Sequence, residues 1–365
     1  MFKVMMLGAA LAVVAAPAMA QSDMMTQAKS IVEQFSRPNP PWKGPTTGPK
    51  AEPGKLIVYI STDQRNGGAH GVGEGMVEAA KVIGWKTRVL DGQGTVSGRA
   101  SALSQAISLH PDVIVLGGID GNEQKAVVAQ AATSGIKIIG WHATAKAGPA
   151  PDLSIFTDIT TDPLKVAKAA ASLAVIDSDG KAGVVIFTDS TYKVAVAKSD
   201  EMANVIKDCK TCKLLEVIDT PLSDTSIRMP PLTTNLLTKY GARFTYALSI
   251  NDLTFDFMAP ALASAGIAGD GLPHNISAGD GSAAAFQRIR NKQYQIATVA
   301  EPLRLQGWQI VDEANRALHG QPDSGFVAIP HLFTPDNIAF DGGKNNEYDP
   351  DNGYRDAYKK IWGVH

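Results

Sequence analysis

The sequence predicts an α/β protein made of two consecutive doubly wound halves with parallel sheets. From Lys55 onward, short and fully apolar runs alternate with helical segments, which is the pattern of βαβ units. A Gly/Pro-rich break at residues 143–153 divides this alternation into two sets. Strands that are apolar throughout are typical of a sheet covered by helices on both faces.

In the first half, apolar runs predict strands, and a helix separates each run from the next. The predicted strands are LIVYI, TRVLD, DVIVLG and IKIIGW. Three helices lie between them: the first ends near Gly84, the second covers 97–109 and the third covers 121–134. In an open α/β sheet, ligands bind at the carboxyl ends of the strands. The polar cluster STDQRN, directly after the first strand, therefore marks a candidate site.

The second half repeats the alternation. Its predicted strands are SIFTD, AGVVIFT, KLLEVID, RFTYALS, NISAG and YQIATVA, and its helices begin near Asp162, Lys193, Ile227, Asp252 and Ser282. A last strand is predicted at 326–332. An irregular polar tail follows, and a short helix near 354–361 closes the chain.

The first 20 residues are typical of an export signal. Lys3 precedes a short apolar run, and Ala18-Met19-Ala20 forms a small-x-small cleavage site. The run is too short to span a membrane. We therefore predict a signal peptide at 1–20 with cleavage after Ala20, the alternative being a buried N-terminal helix.

Residues 21–54 are predicted to form an N-terminal strap. A short amphipathic segment at 24–35 leads into residues 37–54, which contain six Pro and three Gly. That composition is incompatible with a regular element. Trp42 lies inside this segment, and we expect it to anchor the strap to the domain, with ligand contact as the alternative.

Composition excludes one class of function and favours two domains. The 365-residue chain has a formal net charge of −2, whereas a nucleic-acid-binding protein needs a basic face. A chain of this length is also too long for one ordinary core.

The two cysteines, Cys209 and Cys212, are spaced C-x-x-C. An exported protein meets an oxidising compartment, so a local disulfide is favoured. A zinc site would need more ligands than this segment offers. A catalytic redox pair should follow a strand and open a helix, but this pair lies at a predicted helix end.

Enzyme motifs fit the sequence poorly. Neither a G-x-S-x-G elbow nor an H-E-x-x-H helix occurs. The glycines at 67–75 suggest a dinucleotide turn, but after Gly71 and Gly73 the third position of G-x-G-x-x-G is Met76. The stretch 349–353 has its Gly fifth, where a calcium loop requires it sixth. We therefore expect no enzyme, no cofactor and no metal.

Several spaced segments carry a resemblance to one known family. They are LIVYISTDQRNGG, SALSQAISLHPDVIVLGGID, YALSINDLTFDFMAPAL, ISAGDGSAAAFQRI and YQIATVAEPLRLQGWQIVD. In this order they resemble the periplasmic sugar-binding proteins of the ribose/galactose-binding type, which are solute receptors of ATP-driven importers. The likeness covers about Lys55 to Phe340.

The resemblance implies the periplasmic binding protein type I fold. This fold has two Rossmann-like lobes with parallel sheets, joined by three crossover strands, and a cleft that closes on a ligand by hinge motion. Lobe one would use 55–156 plus 302–332, and lobe two would use 157–301 plus 333–345. Residues 346–365 would form a C-terminal tail.

The resemblance also implies ligand-binding residues in lobe one. Asp63, Arg65 and Asn66 follow the first strand, where the family uses an Asn; capping of the next helix is the alternative role of Asn66. Trp141 and His142 end the fourth strand, where the family often carries Asp-Arg. The Trp141 ring would stack on the apolar face of a sugar ring.

The remaining candidates lie near the crossovers and in lobe two. Asp158 matches the family's Asp near the first crossover. Tyr192 and Lys198 follow the strand VVIFT, and Lys198 falls where the family keeps an Arg. Asn251 and Asp280 match the family's ligand Asn and the Asp of its Asp-Gly loop.

A cleft built this way would be rich in hydrogen-bond acceptors. Glu301, where the family often has Gln, adds a further carboxylate. The candidate residues include two cationic side chains, Arg65 and Lys198. They include four carboxylates: Asp63, Asp158, Asp280 and Glu301. Charged acceptors bind hydroxyl donors strongly, which favours a neutral polyol or sugar, or an amino-bearing one, over a sugar phosphate.

The resulting prediction is the periplasmic solute-binding component of an ABC-type importer. It would be a monomer that binds a small sugar or polyol, with a membrane permease and an ATPase as partners and no nucleic acid. One alternative is a receptor that hands its closed form to a membrane sensor. A second alternative is an exported enzyme.

Overall fold

The computed structural model describes residues 15–38 and 41–364. Residues 1–14, which hold most of the predicted signal peptide, lie outside the described residues. The first regular element is helix α1 (Ala15–Phe35), and eleven α-helices alternate with twelve strands within the described ranges. None of these helices is both long enough and apolar enough to cross a membrane.

The first lobe is built on a six-stranded sheet in the order β2-β1-β3-β4-β6-β5. All neighbouring pairs are parallel except β5 with β6. The strands are β1 (Leu56–Ser61), β2 (Lys86–Asp91), β3 (Val113–Gly117), β4 (Lys137–Trp141), β5 (Gly148–Ala150) and β6 (Ile155–Ile159). The central strands β1 and β3 are buried on both faces, as their apolar sequences predict.

The second lobe is built on another six-stranded sheet, in the order β12-β11-β10-β9-β7-β8. Only β12 runs antiparallel to its neighbour. The strands are β7 (Gly183–Thr188), β8 (Lys213–Asp219), β9 (Tyr246–Ser249), β10 (His274–Ser277), β11 (Ala297–Ala300) and β12 (His331–Phe333). Two α/β lobes with mostly parallel sheets confirm the predicted fold class.

Helices cover the sheets of both lobes. The remaining helices are α2 (Gly67–Val82), α3 (Val96–Ser108), α4 (Lys125–Thr133), α5 (Pro163–Asp177), α6 (Lys193–Asp208), α7 (Thr225–Tyr240), α8 (Leu253–Ser264), α9 (Ala283–Arg290), α10 (Leu303–Leu318) and α11 (Tyr354–Trp362). Local sequence explains where they begin. Helix α5, for example, has Pro163 in its first turn and Asp162 accepting from the backbone N–H groups of Leu164 and Lys165.

Two strand predictions are wrong. The segment SIFTD, expected in the second half, pairs with β4 in the first sheet, with Ile139 opposite Thr157. The Gly/Pro-rich break before it forms the short strand β5 at the edge of the same sheet. The last strand covers only 331–333, because residues 326–330 run past α10 without ladder partners.

The N-terminal segment contacts both lobes. Helix α1 buries Ala28 and Phe35 in the core of the second lobe. The strap beyond it lies on the first lobe, where the Trp42 ring packs 5.0 Å from Phe326 and 5.3 Å from Tyr358. These contacts support the predicted role of Trp42 as an anchor.

Helix α6 and strand β8 are joined by a turn that a disulfide closes. Cys209 and Cys212 are bonded to each other, with Cα atoms 5.3 Å apart, which confirms the predicted pairing. Both are buried among the helices of the second lobe.

Helices α2 and α10 cross at two facing glycines. A Cβ on Gly75 would lie 2.6 Å from the backbone oxygen of Arg304, and a Cβ on Gly307 would lie 2.3 Å from the backbone nitrogen of Met76. The close approach explains part of the glycine cluster that had suggested a phosphate-binding turn.

We predict that Gly307→Ala lowers the free energy of unfolding by about 1–3 kcal/mol, the usual cost of overpacking. Helix propensity alone would favour Ala by about 1 kcal/mol, so a net loss isolates the steric effect. Urea unfolding measures it. Lys81→Ala, on the exposed face of α2, is the control, and equal or higher stability of Gly307→Ala would contradict the packing argument.

Candidate functional site

A cavity of about 50 Å³ lies between the lobes, at the carboxyl ends of strands from both sheets. It is bounded by loops that follow β1, β3 and β4 on one side and β7 to β10 on the other. The lining residues are Thr62, Asn66, Gly118, Trp141, His142, Tyr192, Val194, Ala195, Lys198, Leu222, Ile250, Asn251 and Asp280. Convergence of both sheet edges on one cavity makes it the candidate binding site.

Most of the residues predicted from the sequence line this cavity. They are Asn66, Trp141, His142, Tyr192, Lys198, Asn251 and Asp280. All of them are more than nine-tenths buried. Their hydrogen bonds therefore have to come from the protein or from a ligand, because water has little access.

Asn66 and Asn251 use their amides in the same way. The Oδ1 atom of Asn66 accepts from the backbone N–H groups of Gly68 and Ala69 at 3.0 and 3.1 Å. The Oδ1 atom of Asn251 accepts from the backbone N–H of Leu253 at 3.2 Å. Both carbonyl oxygens are thus occupied by helix N-termini. Neither Nδ2 group has a protein partner within residues 15–38 and 41–364, so each asparagine offers the cavity a donor.

Asp280 offers the cavity an acceptor. Its carboxylate makes no hydrogen bond to any residue in the described part of the chain, and its nearest cation is Lys198 Nζ at 3.8 Å. Burial raises the pKa of Asp280 to about 6, and the nearby ammonium opposes this shift. A buried carboxylate without a hydrogen-bond donor is costly, so Asp280 is the strongest candidate in the cavity to accept a hydrogen bond from a ligand hydroxyl.

The loop that carries Asp280 is held by Asp252. The Asp252 carboxylate accepts from the backbone N–H groups of Gly281 and Ser282 at 2.8 and 2.9 Å. Asp252 directly precedes α8, a position where Asp often caps a helix, but its side chain makes no capping bond. It positions the Asp-Gly loop instead, and no local sequence signal distinguishes the two roles.

Trp141 and His142 form a stacked pair. Their rings lie 4.1 Å apart at an angle of 10°, and His142 has a left-handed backbone with φ of 54°. The indole N–H of Trp141 donates to Gln306 Oε1 at 2.9 Å. One face of Trp141 and its only polar atom are therefore already occupied, and the His142 ring shares the role of aromatic wall.

Glu301 is buried next to the cavity without lining it. Its carboxylate lies near one basic group from each lobe, His142 and Lys198. It accepts from Gln306 Nε2 at 2.8 Å and lies 3.1 Å from His142 Nε2. Burial opposes its ionisation, but His142 and Lys198 lower the pKa of Glu301 below its usual range. Burial likewise opposes protonation of His142, yet Glu301 raises the pKa of His142.

Three side chains in and beside the cavity have potential metal-ligating atoms close to one another. His142, Asp280 and Glu301 each offer one atom within 4.8 Å of the others. However, Lys198 Nζ lies 3.8 Å from Asp280 and 3.9 Å from Glu301. A fixed ammonium thus already supplies the positive charge that these carboxylates need.

Three predicted residues are occupied away from the cavity. Asp63 forms an ion pair with Arg65 at 2.7 Å, and Arg65 extends to the surface. Asp158 accepts from the backbone N–H groups of Ala143 and Thr144 at 2.9 and 3.0 Å, which shapes the loop after β4. A ligand role for these residues stays a prediction.

Sequence reasoning missed the apolar part of the wall and one hydroxyl. The missed residues are Thr62, Gly118, Val194, Ala195, Leu222 and Ile250. Thr62 and Ile250 directly follow β1 and β9, so their position at a strand end could have identified them. Val194 and Ala195 lie in the first turn of α6, where apolar residues are ordinarily assigned to the core.

Comparison with known proteins places this architecture in a family. The family model described as periplasmic binding protein domain matches residues 57–322, which is well over half of the chain. None of the curated proteins matches the sequence.

Solved structures share the fold at low sequence identity. A galactofuranose-binding protein superposes with a TM-score of 0.69 at 15% identity, covering 80% of this chain and 99% of that one. An ABC transporter solute-binding protein from Agrobacterium vitis with bound allitol has a TM-score of 0.64 at 20% identity, covering 78% and 97%.

A sugar ABC transporter protein from Yersinia enterocolitica subsp. enterocolitica 8081 has a TM-score of 0.70 at 15% identity, covering 87% of this chain and all of that one. Together with the match to the family model, these similarities account for the two lobes and the cavity between them. The chain therefore belongs to the periplasmic binding protein domain family, and its lobes have the type I fold.

Proposed function

We propose that this protein is the periplasmic solute-binding component of an ABC-type importer and that it captures a neutral sugar or polyol between its lobes. The observation that carries the proposal is the set of cavity side-chain groups that have no hydrogen-bond partner among the described residues. Asn66 and Asn251 each present an amide donor, and Asp280 presents a carboxylate acceptor. A hydroxyl both donates and accepts, so a polyhydroxylated ligand satisfies all three groups.

Charge in the cavity supports a neutral ligand. Lys198 faces Asp280 and Glu301, and Glu301 raises the pKa of His142, which favours its protonated form; all four side chains are buried. A ligand with a net charge would add an unpaired charge to a buried site, which is costly. The amino-bearing ligand that the sequence had allowed is disfavoured by this balance, as is an anionic sugar.

The structural relatives point in the same direction. The ligands of three of these proteins are galactofuranose, allitol and D-arabinose, which are neutral polyhydroxylated molecules. Several are named as ABC transporter components, which favours transport over a signalling receptor. We propose a membrane permease and an ATPase as partners, a monomeric state, no enzymatic activity, and cleavage of the signal peptide after Ala20.

Calorimetry on the protein without residues 1–20 tests the ligand class. We expect binding to at least one neutral sugar or polyol in a panel that also contains matched sugar acids, amino sugars and sugar phosphates. Mass spectrometry of small molecules that co-purify with the protein identifies ligands outside this panel. Preference for a charged member of a matched set would overturn the neutral-ligand proposal, and no binding to any of them would overturn the sugar proposal.

Asn66→Asp separates ligand binding from helix capping. Asp is an equally good N-cap, but its carboxylate adds a buried charge. The neutral N-cap variant Asn66→Ser is therefore measured beside it and should keep the thermal midpoint close to that of the wild type. The donor to the ligand is lost, which should cost about 1–3 kcal/mol of binding energy, or roughly tenfold to a hundredfold in Kd. Asn352→Asp is the control, since Asn352 accepts from the N–H of Tyr354 far from the cavity. An unchanged Kd for Asn66→Asp would remove this residue from the site.

Binding should weaken below pH 6. Burial between the lobes raises the pKa of Asp280 to about 6, and a hydroxyl that donates to its carboxylate favours the ionised form. The Kd should therefore rise by up to about tenfold per pH unit as the pH falls from 6 to 5. His142 has a raised pKa and stays protonated across this range. Calorimetry at pH 6.5, 6 and 5 measures the effect, and Asp280→Asn should flatten the profile; a flat wild-type profile would exclude an ionised Asp280 as acceptor.

A further inference from the structure

Beside the cavity, a second group of contacts joins the lobes directly. We propose that Asp120 and Tyr192, with Thr62 and Arg99, form an interlobe latch that stabilises the closed form and sets the affinity for every ligand by a common factor. The inference rests on the proposed function, because closure is taken to serve ligand capture.

The first contact is a helix cap supplied by the opposite lobe. Helix α6 begins after Tyr192, whose side chain makes no capping bond. The Asp120 carboxylate, from the loop after β3 in the first lobe, accepts from the backbone N–H of Lys193 at 3.3 Å. A carboxylate is favourable at a helix N-terminus, and this one is present only while the lobes are together.

Asp120 is held ready for this contact. Its other oxygen accepts from the backbone N–H and the side-chain amide of Asn122 at 2.9 and 2.8 Å. The side chain is thereby oriented by its own loop and keeps one oxygen for α6. Asp120 is buried although it does not line the cavity, so it contributes to closure and not to ligand contact.

The second contact involves the side chain of Tyr192. Its hydroxyl lies 2.9 Å from Thr62 Oγ1 in the first lobe, and the Arg99 guanidinium lies 5.6 Å from the centre of its ring. Arg99 is in turn fixed by an ion pair with Glu123. A hydrogen bond and a cation–π contact across the cleft therefore add to the helix cap.

These contacts join residues of one lobe directly to residues of the other, so they depend on the lobes being together. A protein whose binding-competent state is only fractionally populated binds with an affinity reduced by that fraction. The Asp120 contact with α6 lies outside the cavity lining. It therefore raises the closed population without touching the ligand and should change all affinities equally. Residues such as Asn66 and Asp280 would instead change affinities unequally among ligands.

Asp120→Ala tests the latch. Asn352→Ala is its matched control, because Asn352 also accepts from a first-turn N–H, but within a single lobe. We expect Asp120→Ala to raise Kd roughly three- to thirtyfold, the range for loss of a helix cap, by the same factor for each ligand bound, with Asn352→Ala unchanged. An effect on one ligand only, or no effect, would overturn the proposal.

Small-angle scattering of the unliganded protein gives an answer that does not depend on the ligand. Asp120→Ala and Tyr192→Phe should each increase the radius of gyration relative to wild type, with Asn352→Ala as the baseline. Equal radii would refute the latch even where ligand binding is demonstrated. An increase would support the latch even where no sugar binds and the proposed function fails. Asp120→Asn, which keeps one acceptor oxygen, should give a smaller increase and serves where the alanine variant does not fold.

Discussion

The arrangement of the site depends on one constraint: helix N-termini meet in the cleft, and their first N–H groups need acceptors. Parallel βα units place every such N-terminus at the carboxyl edge of a sheet, and both sheet edges face the same space. The side-chain oxygen of Asn66 accepts from an N–H group in the first turn of α2, and that of Asn251 accepts from one in the first turn of α8. Asp120 satisfies α6 from the opposite lobe. The polar residues of the cleft are thus structural before they contact any ligand.

The fold was predictable where strand and helix periods differ plainly, and not where sheet membership depends on distant partners. The alternation from β1 to β4 follows directly from sequence. The sheet to which β6 belongs does not follow from sequence, because a five-residue strand fits either sheet. Only its pairing with β4 assigns it to the first one. The contact of α1 with the second lobe was equally hidden, since an amphipathic segment shows that a face is buried but not against what.

The site was predictable in position but not in its electrostatics. Strand ends located the cleft residues, since geometry fixes where they converge. Their charges could not be summed from sequence, because Asp63 is paired with Arg65 two residues away and Asp158 is taken up by backbone N–H groups. Of the carboxylates expected to bind hydroxyls, Asp280 alone lines the cavity without a hydrogen bond from the described residues.

Two glycines at the start of α2 connect these observations. A Cβ on Gly67 would lie 2.4 Å from Ser282 Cβ, and one on Gly68 would lie 2.3 Å from Asp280 Oδ2. The glycines therefore serve the approach of two protein surfaces and not that of a phosphate. Asp280 fits directly against Gly68, so contact between the lobes brings its carboxylate and the Asn66 amide to the wall of one small cavity. Ligand recognition and lobe closure thus use the same helix terminus, so the acceptor and the donor come together only when the cleft shuts.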